Sequence, residues 1–119
     1  MTIGRRAQLV NQVYCSALPI GYSQHREAEW EPFARLVLDA AYESVLTAAA
    51  LHAMNGGSPR VYLTKIGGGV FHNPESWIIA AIERALHRVE WMGLDVSMVS
   101  YGGSQRSTQA LVDWWENRV

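Results

Sequence analysis

The sequence predicts a small α/β domain in the order β-α-β-α-β-α, with a short parallel sheet and helices on both of its faces. Three observations predict it. Apolar, β-favouring runs occur at residues 13–15, 60–66 and 94–101, each ended by glycine or proline. Helical spacing of apolar residues fills the intervals at 27–54 and 77–89. The length, 119 residues, suits one domain spanning 1–119. Strands alternating with helices imply crossover connections between parallel strands.

The elements follow in order. Residues 1–8 carry no clear pattern. Within residues 10–20, Val13-Tyr14-Cys15 reads as a buried strand closed by Pro19 and Gly21. Residues 27–54 read as a helix with its apolar stripe at Phe33, Val37, Ala40, Ala41, Ser44, Ala48 and Leu51. Glu27, Glu29 and Glu31 suit the positive end of the helix dipole. Pro32 fits a first turn, which points to a regular start near Glu31. Asn55-Gly56-Gly57 and Pro59 end the helix.

Residues 60–66 form the next strand, apolar enough to be covered on both faces. The second helix is expected to use Asn73 as N-cap and Pro74 as first residue, with Trp77, Ile78, Ala81, Ile82, Ala85 and Val89 inward. Residues 94–101 give the third strand. Residues 108–118 give a last short helix capped by Ser107, in which only one of Trp114 and Trp115 can face the core. Three strands leave two edges with unpaired backbone groups. The sheet is therefore expected to be completed by a partner chain, as in a homodimer.

Composition excludes several classes. With 49% apolar and 18% charged residues the chain is globular rather than disordered. A net charge of −1 argues against a nucleic-acid binder. Cys15 is the only cysteine, so no intrachain disulfide or cysteine metal cluster is possible. A reducing, cytoplasmic location is the expectation. Neither a secretory leader nor a membrane-spanning helix is expected. The four histidines fit no metal spacing, so no metal and no cofactor are expected. Five tryptophans point to a partner surface.

The most informative stretch is residues 61–75, VYLTKIGGGVFHNPE. A strand, a glycine turn and a helix start in that order provide close backbone approach and unpaired N–H groups for an anion. Three consecutive glycines exceed what a tight turn needs. The candidate ligand-binding residues are Gly67, Gly68, Gly69, Val70, Phe71, His72 and Asn73. Tyr22 joins them because ligands in open α/β sheets bind at the carboxyl ends of strands. Gln24, Tyr101, Gly102 and Gly103 fall at the same edge. The ligand class is a phosphate-bearing small molecule or nucleotide. An interaction or assembly protein with no ligand is the competing reading. A hydrolase using His72 with Glu75 is a third.

Residues 38–86 resemble the later half of a macrodomain. Ala41-Tyr42 with Leu46, the turn Gly69-Val70-Phe71 and the helix beginning after Pro74 carry the resemblance. It implies an α/β fold and an ADP-ribose-like ligand. Backbone N–H groups of Gly67, Gly68, Gly69 and Val70 would hold the diphosphate, and Phe71 would lie beside a ribose. The chain departs from the family at His72-Asn73, where a glycine is usual. It also has no counterpart of the half that carries the adenine-recognising aspartate and the hydrolytic loop.

Overall fold

The computed structural model describes residues 9–103 and 105–118. They form helices α1 (Glu27–Met54), α2 (Glu75–Val89) and α3 (Arg106–Asn117), and strands β1 (Arg60–Thr64) and β2 (Asp95–Val99). Short 3-10 turns cover Ile20–Tyr22 and Glu90–Met92. The protein is therefore mixed α/β with a two-stranded parallel sheet. In register, Arg60 faces Asp95, Tyr62 faces Ser97 and Thr64 faces Val99.

The expected first strand is absent among the described residues. Leu9 to Pro19 is irregular. The segment instead runs beside α1: Asn11 Nδ2 lies 3.2 Å from His52 Nδ1, and the Cys15 thiol donates to the Ala41 carbonyl at 3.8 Å. Val13 and Tyr14 are exposed. Strand preference reflects neighbours to pack against, and here the neighbour is a helix.

α1 begins at Glu27, ahead of the expected start at Glu31. The Arg26 N–H donates to Glu29 Oε2 at 3.2 Å, and the Glu29 N–H to the Arg26 carbonyl at 3.0 Å. Pro32 is inside the helix and cannot donate to the Ala28 carbonyl. Ala28 is exposed, so water can serve that carbonyl.

The buried stripe of α1 is also not the expected one. Ala34, Leu38, Ala41, Tyr42, Leu46 and Ala50 face the core. Of the expected stripe only Ala41 is buried, while Phe33, Ala40, Ser44, Ala48 and Leu51 face outward. α1 is apolar on two sides, and spacing alone does not say which side packs.

α2 takes the expected inward set, Trp77, Ile78, Ala81, Ile82, Ala85 and Val89. It meets α1 in the main contact of the core. The small side chains of Ala34, Ala41, Ala81 and Ala85 allow close approach of the two helices. At the rim, Arg84 lies 2.8 Å from Glu43 and 3.9 Å from Asp39, and Arg88 is 3.3 Å from Glu43.

The sheet buries one face. Val61 and Leu63 on β1 lie in the core, with Val96 and Met98 on β2 packed against it. Arg60, Tyr62, Thr64, Asp95, Ser97 and Val99 alternate with them and are exposed. α3 reaches the covered face through Leu111. The expected helices on both faces are therefore not found. Among the described residues all three helices pack on one side.

Tyr42 ties α1 to the end of β1. Its hydroxyl donates to the Thr64 carbonyl at 2.7 Å and accepts from the Ile66 N–H at 2.8 Å. Burial pushes its pKa up to about 12, against a backbone hydrogen bond from Ile66 that lowers it. The neutral form is the one the fold holds, so this contribution to stability is complete below about pH 10 and is lost as pH rises toward 12. Tyr42→Phe is expected to cost about 1–3 kcal/mol in chemical denaturation, because two backbone groups lose their partner. The variant is also expected to lose less stability than wild type between pH 10 and 12.

Candidate functional site at the strand ends

The loop from Gly67 to Asn73 leaves β1 and folds back on the segment that precedes α1. Gly67 has φ +81°, and a Cβ there would sit 2.5 Å from Ala17 Cβ. Only glycine fits both conditions. Gly68 and Gly69 have ordinary φ values; a Cβ would make normal contact at the first and none at the second. The turn thus needs one glycine of its three.

Asn73 closes the loop rather than capping α2. Its N–H donates to the Gly67 carbonyl at 2.8 Å. Its side-chain amide donates to the same carbonyl at 3.0 Å and to the Leu18 carbonyl at 2.8 Å. Asn73 is buried, and its Oδ1 has no partner among the described residues. The N-cap position falls to Pro74. A side chain that can donate twice is better used across two half-buried carbonyls than on a half-solvated helix end.

His72 is exposed with φ +59°, a left-handed conformation that a non-glycine residue seldom adopts. It lies over Gly21, where a Cβ would come within 2.3 Å of the imidazole ring. The Gly21 N–H donates to the Phe71 carbonyl at 3.0 Å. Tyr22 meets Phe71 edge to face, with ring centroids 6.3 Å apart. The structure therefore brings Tyr22 to the glycine loop, but through the Gly21–Phe71 hydrogen bond and not at the end of a first parallel strand, which is absent among the described residues. Tyr101, Gly102 and Gly103 follow β2 at the same sheet edge, and all three are exposed. Gln24 is exposed in the bend before α1.

A shallow cleft of about 250 Å³ beside the loop is lined by Ile20, Gly21, Glu27 and His72. Among the described residues, the N–H groups of Gly68, Gly69 and Val70 enter no hydrogen bond. The chain's one lysine, Lys65, stands where β1 ends, but it bonds Glu75 and Gln105. Ser107 donates to Glu75 at 2.5 Å rather than capping α3. Lys65, and then Ser107, hold the Glu75 carboxyl below its usual range. The charge nearest the loop is thus already neutralised, and Glu27 adds a carboxylate to the cleft. His72 and Glu75 share no hydrogen bond, so the acid–base pair required of a hydrolase is not assembled.

A second cavity, about 260 Å³, lies between α2, β2 and α3, with Leu86, Val96, Met98, Leu111 and Trp115 on its wall. Sequence reasoning missed this space. It also missed the Lys65–Glu75–Gln105–Ser107 cluster, whose signal was a single lysine in an apolar run. Among the described residues no three of His, Cys, Asp and Glu converge on a common point. No described helix is long and apolar enough to cross a membrane.

Comparison with protein-family models, curated proteins and solved structures finds no match to this chain.

The glycines separate by role in a thermal-denaturation series. Gly67→Ala is expected to cost more than about 1 kcal/mol through strain and the clash with Ala17. Gly68→Ala and Gly69→Ala are expected to stay within about 0.5 kcal/mol of wild type.

Proposed function

We propose that the chain is a self-assembling module whose exposed apolar surface is covered by further copies. One observation carries this reading: a parallel sheet with an uncovered face. Parallel sheets are ordinarily covered on both sides, yet here Tyr62 is 66% exposed and Val99 47%. Both outer strand edges also lack a neighbour among the described residues. A net charge near zero sets little repulsion against like copies.

The unbonded N–H groups of Gly68, Gly69 and Val70 favour a second reading. They lie near the start of α2, with Tyr22 and Phe71 in edge-to-face contact alongside. A phosphate-bearing ligand of the ADP-ribose class, as the macrodomain resemblance implies, would take those N–H groups. Glu27 and the neutralised Lys65 weigh against strong anion binding there.

Light scattering on the purified chain tests the first reading. A mass at a whole multiple of 13.3 kDa is expected at micromolar concentration, and a monomer mass up to about 100 μM would remove it. Calorimetry with ADP-ribose, AMP and inorganic phosphate tests the second. Heat that disappears in Gly68→Glu would support a loop site. Absence of heat at millimolar ligand removes it.

A further inference from the structure

We infer that α1 pairs with α1 of a second copy in an antiparallel, two-fold contact centred on Ser44. This inference rests on the self-assembly reading and adds a second surface to the open sheet face that carries it. The outward side of α1 carries an apolar stripe at the 3-4 spacing of a straight helix. At one end stand Phe33 and Leu36, 54% and 61% exposed; at the other stand Leu51 and Met54, 54% and 68% exposed. Ala40, Ser44 and Ala48 lie between them, also exposed. The core has already taken the other side through Leu38, Tyr42 and Leu46.

The order of residues identifies the occupant. Read outward from Ser44 in either direction, the stripe gives alanine, then a branched aliphatic residue, then a large apolar side chain. A two-fold axis at Ser44 therefore sets Ala40 opposite Ala48 of the second copy. The same axis sets Leu36 and Val37 near Leu51, and Phe33 near Met54. An isologous contact demands this self-complementarity, since each pair must occur twice. Small residues at the centre let the axes approach to about 8 Å, and larger ones at the ends fill the widening gap. The contact would run about 32 Å along the helix.

Charge does not oppose it. Glu43, next to the axis, would meet its own copy, but Arg84 and Arg88 already neutralise it. Neighbouring surface extends the contact. Residues 11–15 lie along α1, with Val13 and Tyr14 exposed beside the stripe. A standard interface takes about 800 Å² from each partner. The exposed side chains of Phe33, Leu36, Leu51 and Met54, with Val13 and Tyr14, supply the apolar part of that area.

Cross-linking the full chain tests the contact. Ser44→Cys with Cys15→Ser leaves one thiol at the proposed axis, facing its own copy. Mild oxidation with copper phenanthroline is expected to convert most of it to a covalent dimer. Ser97→Cys with Cys15→Ser, on the open sheet face, is expected to stay largely uncross-linked. Leu51→Glu in the natural chain is expected to reduce the light-scattering mass to that of a monomer with an unchanged circular dichroism spectrum. A multimer that cross-links through Ser97→Cys and not Ser44→Cys would overturn the α1 contact while leaving self-assembly intact. So would a Leu51→Glu variant that is folded and still multimeric. A wild-type monomer would overturn both.

Discussion

The packing of α1 against α2 is the contact on which the rest of the structure depends. Alanines on both helices bring the backbones close, and Leu38, Leu46, Ile78 and Ile82 fill the layer between them and are almost wholly buried. The Asp39–Glu43 and Arg84–Arg88 cluster sits on the solvent rim of the same contact. Such exposed pairs add little stability on their own. They do help fix the rotation of α1, and that rotation decides which apolar stripe is buried and which remains outside.

The sheet is secondary to this helix pair. Two strands of five residues cannot form a stable layer alone. They persist because Val61, Leu63, Val96 and Met98 rest on the helices, and because the Tyr42 hydroxyl holds the backbone where β1 ends. The glycine loop inherits its position from that anchor. Asn73 then fastens the loop to the segment before α1 through the Leu18 and Gly67 carbonyls. The loop is thus built as a joint between two parts of the chain. Its geometry explains Gly67 fully and leaves Gly68 and Gly69 without a structural need.

Much of this was legible in the sequence. Both long helices lie where apolar spacing and the following glycines place them, although the proline and cap signals missed their first residues, and the apolar runs at 60–66 and 94–101 contain β1 and β2. Three features were not legible, for separate reasons. Val13-Tyr14-Cys15 has the composition of a strand, but strand formation depends on a neighbouring strand and among the described residues none lies beside it. The wrong stripe of α1 was expected inside because both stripes keep helical spacing, and only the placement of α2 distinguishes them. Asn73 has the residue type of an N-cap, but the carbonyls it serves are 55 residues away at Leu18 and 6 residues away at Gly67. Tyr22 does meet Phe71, but the expected reason, a parallel strand ending just before it, is not what brings it there: a 3-10 turn bonded to the Phe71 carbonyl does.

α1 is apolar on opposite sides, and among the described residues only its inner side is covered, so its pairing with a second copy turns on what happens to the outer one. Hydroxyl-radical footprinting over a range of protein concentrations measures the other side directly. Phe33 and Met54 are expected to lose reactivity as concentration rises, while Trp91, 91% exposed and far along the chain from α1, keeps a constant rate. Equal reactivity of Phe33 and Met54 at nanomolar and high micromolar concentration would contradict a buried outer stripe.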